Sequence, residues 1–318
     1  MPGFLAHYIA GQAAINSIAI NIREKIKQYE RLYNLGTQGP DIFFYYFPGH
    51  MRKRSRGIGS EMHQNNLGPF ITKMARIAKG FEGGDRDLLF AYTAGLIMHY
   101  ALDTCAHPYV YARTHQDTST KLKNSADHRV FETAIDIALL KLVSGKKPAD
   151  YSQWELICAE NAHLAMAARA MSHAIKSVYN REIPPKDVFK AMGYMIGLTR
   201  LLRSRRGRRK KWMELIENLS VRQPIFSSMV HAQTVDANPD YLNEQKKPWQ
   251  PPWEEKDFCT DSFIERYHQA VEDGLQMIQY LYNYMYEDLP KKLLLDKLGN
   301  RSLKTGLPCE QSQTSLQQ

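Results

Sequence analysis

Apolar residues recur every three to four positions along most of the chain, the period of helices that bury one face. Ile9, Ala13, Ile18, Ile20 and Ile26 mark such a face over residues 7–33, which closes at the turn "NLGTQGPD" (34–41). The same spacing predicts helices over 66–79 and 86–106, separated by "GFEGGDRD", with Asp85 or Asp87 as N-cap of the longer one. Further helices are predicted at 125–144, 152–179, 186–203, 210–219 and 261–287. The aromatic run "DIFFYYF" (41–47) suits a strand or a buried helical turn. No strand–helix alternation and no internal repeat emerges, so the expected fold is all-α, a multi-helix bundle. Two stretches read as irregular: 45–65, and the proline-rich 233–260 with Trp249 and Trp253, a long loop of the kind that often carries function. Beyond about residue 288 the composition turns polar. The expected organisation is a helical domain over 1–288 and a disordered tail over 289–318.

Composition narrows this picture. A chain of 318 residues, 43% hydrophobic and 24% charged, can bury a large core and is ordinary for a soluble protein. No run of about 18 uncharged apolar residues exists to span a membrane. The N-terminal stretch lacks a basic region before its apolar run, which carries His7, Gln12 and Asn16, so a cytoplasmic location is expected. Cys105, Cys158, Cys259 and Cys309 show no CxxC spacing, which excludes a thiolate zinc knuckle. Any metal must therefore be held by imidazole and carboxylate. The net charge of +9 is concentrated in "RLLRSRRGRRKK" (Arg200 to Lys211), where eight of twelve residues are basic. This segment reads as a solvated helix end, as a peripheral contact with an anionic membrane, or as a nucleic-acid patch, and composition does not choose among them.

The candidate chemistry sits in "HYALDTCAHPYVYARTH" (99–115). His99 and Asp103 stand at i and i+4, one turn apart on the same helix face. Pro108 disfavours helical geometry at His107, so the helix is predicted to end there and leave His107 free to reach a second centre. Twenty-one residues on, His128 and Glu132 repeat the i, i+4 arrangement. Each pair can offer one imidazole nitrogen and one carboxylate oxygen to an ion. The neighbours Leu96, Ile97, Met98, Leu102, Val130 and Ile135 are apolar, so both pairs should point inward. Buried ionisable groups without partners are costly, and a divalent metal neutralises such a cluster.

The ordered motifs His7, "GPDIFFY" (39–45), "GSEMH" (59–63), "HYALDTCAH" (99–107) and "HRVFE" (128–132) resemble the zinc-dependent phospholipase C family. The resemblance covers roughly residues 1–140 by motif. It implies a helical bundle around an internal multinuclear zinc site, distantly related to single-strand-specific zinc nucleases. By that resemblance one zinc would take Asp41, His63, His99 and Asp103, and a second would take His107, His128 and Glu132. A third would take His7, a bridging Asp103 and the N-terminal residue, which is a tryptophan exposed by processing in the secreted members. This sequence begins Met1-Pro2-Gly3, its His99–Asp103–His107 run is tighter than theirs, and "HMRKRSRG" is inserted between Asp41 and His63. Two zinc ions are expected, with His7 marking the place of a third.

Metal ions clustered near a carboxylate suit phosphodiester hydrolysis, because they acidify a bound water and clamp phosphate oxygens. The resemblance implies phospholipid, or another phosphodiester, as substrate and Asp41 as the catalytic general base. Phe44, Tyr45 and Tyr46 would wall the pocket or pack the core. The competing classes are a zinc nuclease and a non-catalytic metal-stabilised helical protein.

Overall fold

The computed structural model describes residues 3–45, 55–114, 121–202, 240–254 and 258–315. Among them no strand forms, beyond two isolated bridges, Trp249 with Cys259 and Arg301 with Pro308. The all-α expectation is borne out.

One helix organises the molecule. α6, Gly83–Thr114, runs 32 residues, about 48 Å at the α-helical rise. From Leu88 to Val110 every residue but Cys105 is buried. A helix that is apolar on all faces belongs at the centre of a bundle. Around it pack α1 (Phe4–Ser17), α2 (Ile20–Gln28), α3 (Glu30–Gly36), α5 (Leu67–Lys79), α7 (Lys121–Ser144) and α11 (Phe263–Tyr286). α5 shows the amphipathic alternative: Leu67, Phe70, Ile71, Met74, Ala75 and Ala78 form one buried stripe. Outer pieces are α8 (Gln153–Ile157), α9 (Asn161–Tyr179) and α10 (Pro185–Leu202).

Several expectations are corrected. The helix expected over 7–33 is three, broken at Ala19 and Tyr29, whose backbones leave helical geometry. "DIFFYYF" is no strand: Gly39–Phe44 is a 3₁₀ turn. The irregular span 45–65 contains α4, Ile58–Gln64. Pro108 does not end α6, which continues to Thr114. A proline inside a helix costs ~3 kcal/mol, but here packing holds both sides of it. The tail expected to be disordered forms α12 (Lys291–Leu298) and α13 (Cys309–Ser315), joined by a loop with Ser302, Leu303 and Thr305 buried. Its backbone bonds to the body: Arg301 N donates to Tyr100 Oη and Leu303 N to the His63 carbonyl. The helix expected at 210–219 and the basic segment beyond Leu202 lie outside the described residues.

Glycines let the site-bearing pieces approach. At the α3–α6 crossing a Cβ on Gly95 would stand 2.2 Å from the Tyr33 carbonyl oxygen, and one on Gly36 would stand 2.4 Å from that of Tyr92. Gly39, with φ +52°, turns the chain onto His99, leaving room for no side chain of its own.

Candidate metal centre

Five elements deliver the expected residues to one interior region. α1 carries His7; its N-terminus is fixed by the buried Asp136 carboxylate of α7, which accepts from Leu5 N and Ala6 N, both at 2.9 Å. The 3₁₀ turn carries Asp41, α4 carries His63, α6 carries His99, Asp103 and His107, and α7 carries His128 and Glu132. His99 and Asp103 are wholly buried; His128 is the most accessible, with 14% of its side chain exposed. The donor atoms gather in three groups close enough to hold an ion: His7, Asp41 and His99; His63, His99 and Asp103; and His107, His128 and Glu132.

The hydrogen bonds decide which imidazole nitrogens face inward. Carbonyl oxygens only accept, so a ring nitrogen beside one must carry the proton. His63 Nδ1 donates to Gly59 O at 2.6 Å, His99 Nδ1 to Thr37 O at 3.1 Å, and His107 Nδ1 to the carbonyl of Leu303. Thr114 Oγ1 donates to Val110 O and accepts from His128 Nδ1. Four Nε2 lone pairs are thereby turned toward carboxylates. His99 Nε2 lies 3.1 Å from Asp103 Oδ2, His63 Nε2 3.0 Å from Asp41 Oδ1, and His128 Nε2 and His107 Nε2 2.7 Å and 3.9 Å from Glu132 Oε1. His7 Nε2 lies 3.3 Å from Asp103 Oδ1, its ring stacked on that of His99. Acceptor facing acceptor is repulsive unless a cation or proton lies between. Ligands at 2.0–2.1 Å around one tetrahedral ion stand about 3.3 Å apart, close to most of these spacings. Among the described residues His99 Nε2, His107 Nε2 and both Asp103 oxygens are buried with no hydrogen-bond partner. The residues fit a divalent metal, and the fixed tautomers are those that metal-binding histidines need.

Electrostatics without the ion sharpens the point. Burial opposes charge on Asp103, but His99, His107 and His7 outweigh it and hold the carboxyl well below its ordinary range. Burial also opposes charging of His99, yet Asp103 raises it above the usual histidine value. His7 and His107 are lowered, chiefly by burial.

A cleft of about 160 Å³ opens onto this region, and His63, His107 and His128 form part of its wall. Phe44, Ser60, Tyr111 and Lys304 complete it. The Tyr111 ring lies 4.9 Å from that of His128 and 5.6 Å from Trp253 of the expected functional loop; burial pushes its phenol up to about 12. Phe44 sits on the cleft, whereas Tyr45 packs against the core and Tyr46 lies outside the described residues. Sequence reasoning missed Asp136, Tyr111 and Lys304. Asp136 follows His128 and Glu132 at the same four-residue interval, a signal that was readable; Lys304 left none.

A model of the family described as zinc dependent phospholipase C matches residues 6–184, a span that holds all eight candidate donors. No curated protein and no solved structure matches the chain.

Proposed function

This chain belongs to the zinc-dependent phospholipase C family, and from that membership we propose that it hydrolyses a phosphodiester by attack of water on phosphorus, with phospholipid as substrate. The reading rests on one observation: where the donor groups converge beside an open cleft, the buried Nε2 atoms of His99 and His107 and both carboxylate oxygens of Asp103 have no hydrogen-bond partner among the described residues. We assign Asp41, His63, His99 and Asp103 to one zinc ion and His107, His128 and Glu132 to a second. His7, with Asp103 as bridge, marks a third. Bound zinc would supply Lewis acidity and a water acidified toward neutrality.

The chain's own groups supply the rest. Asp41, 3.0 Å from His63 Nε2 and nearly buried, is the carboxylate we assign to take the proton from the attacking water. Thr37, Gly59 and Leu303, through their carbonyls, keep the imidazoles oriented during turnover. Phe44 and Tyr111 offer apolar walls to the substrate beside the phosphate. No helix among the described residues is long and apolar enough to cross a membrane. Access to lipid would then be from the surface, and we assign that contact to Arg200–Lys211, of which Arg200 rests over the Trp154 ring.

The test is a panel of lipid, nucleotide and aryl phosphodiesters run with wild type and Asp41→Asn, with and without chelator. Chelator-sensitive lipid turnover, lost in Asp41→Asn, is expected. Cleavage of nucleic acid alone would move the protein to the nuclease class. Full zinc loading without turnover of any ester would make it a non-catalytic metalloprotein.

A further inference from the structure

The segment between α12 and α13 lies more than a hundred residues beyond the family match, yet it closes the site. Leu303 bridges two metal-facing histidines by backbone alone: its N–H donates to the His63 carbonyl and its carbonyl accepts from His107 Nδ1. Gly306, with φ +70°, presses so closely on α6 that a Cβ there would stand 2.4 Å from the Thr104 carbonyl oxygen. That is the carbonyl which Pro108, lacking an N–H, leaves without its helical donor. Ser302 N bonds Leu307 O, Gly306 N bonds Ser302 O and Cys309 N bonds Asn300 O, so the loop is tight. It places Lys304 in the wall of the cleft beside His63, His107 and His128.

Lys304 is half-buried, and its ammonium has no carboxylate within ion-pair distance among the described residues. A cation held next to donors arranged for further cations is unfavourable on its own. It becomes favourable when an anion sits between them. A tetrahedral phosphate presents oxygens in several directions and can meet both at once, with the ammonium as a charge-assisted donor.

We propose that Lys304, carried into the cleft by the C-terminal loop, binds a non-bridging oxygen of the substrate phosphate. This rests on the hydrolase reading and extends it to a residue outside the matched domain. No bond is made or broken by Lys304; it holds the anion.

The experiment uses the zinc-loaded full-length protein and inorganic phosphate as probe, titrated by calorimetry. Wild type, Lys304→Gln, Lys304→Arg and, as control, Lys292→Gln on the exposed face of α12 are compared for phosphate affinity, zinc per chain, Tm and kcat/KM. Lys304→Gln is expected to weaken phosphate binding about ten- to a hundredfold, the worth of one charge-assisted hydrogen bond. Its zinc content and Tm should match wild type, Lys304→Arg should recover most of the affinity, and the control should be unchanged. Equal phosphate affinity in wild type and Lys304→Gln would overturn the proposal, as would loss of zinc in Lys304→Gln, which would make the residue structural. A wild type inert on every ester but with Lys304-dependent phosphate binding would sink the hydrolase reading and leave the anion site standing. An active wild type with kcat/KM and phosphate affinity untouched by Lys304→Gln would do the reverse.

Discussion

The two ends of the donor cluster are built differently. At the inner end His7, Asp41, His63, His99 and Asp103 come from four separate elements, all buried, and the Nδ1 atoms of His63 and His99 are tied to backbone carbonyls. At the outer end His128 and Glu132 stand one turn apart on α7, line or border the cleft, and His128 is oriented by the side chain of Thr114. Packing of the whole bundle determines the inner geometry, whereas the outer pair is set mostly by helix periodicity. The inner end is therefore expected to contribute more to folding stability than the outer end.

The largest effect should follow from Asp103→Asn. Its carboxylate lies within 4.0 Å of His7, His63, His99 and His107, and removing one partner of a buried ionic cluster costs ~3–5 kcal/mol. Denaturant unfolding and elemental analysis should report that loss together with at least one zinc ion. His128→Ala should release one zinc ion with a smaller loss of stability, since the site it leaves can admit water. Equal destabilisation by the two substitutions would end the distinction between inner and outer ends.

Gly39→Ala sharpens the comparison from the backbone side. The left-handed conformation costs a side chain ~1–2 kcal/mol, and the new Cβ would stand 2.3 Å from His99 Cδ2. Zinc should fall at the inner end while the ion held with His128 persists; cobalt substitution and absorption spectroscopy would separate the two. If both ions were lost together, the ends are one cooperative unit.

Acidification should discriminate more gently. In the metal-free protein Asp103 raises His99, so protons compete with zinc there from a higher pH. His107, lowered by burial, stays neutral and competent to bind as pH falls below the ordinary histidine value of 6.5. On lowering the pH, zinc held with His99 is expected to leave first. Chelator-trapped release followed stepwise from pH 8 to 5, in wild type and His128→Ala, checks the order. The smallest effect is expected from Thr114→Val, which removes the acceptor for His128 Nδ1: a loss of zinc affinity on the order of tenfold at the outer end, with Tm almost unchanged.

What could be read from the chain follows the same division. The pairs His99/Asp103 and His128/Glu132 were legible because a helix fixes the relation of i and i+4 without help from the rest of the fold. His7, Asp41 and His63 were reached only through resemblance, as their neighbourhood depends on three further elements brought together beside α6. Pro108 misled, since a local preference against helix is outweighed when every surrounding turn is buried. The C-terminal segment misled for a related reason. Its polar composition suits disorder, yet its hydrogen-bonding groups find partners on α4 and α6.

By itself the sequence determined the helical class, a long helix over 86–106 and the residue types that can hold zinc, because periodicity and side-chain chemistry are local properties. Only the tertiary structure decided which nitrogens face inward, how Asp103 stands among four histidines, and that Lys304 reaches the cleft. Each of those depends on a carbonyl, a glycine or a loop brought from far along the chain, and no short-range rule encodes where such a partner will lie.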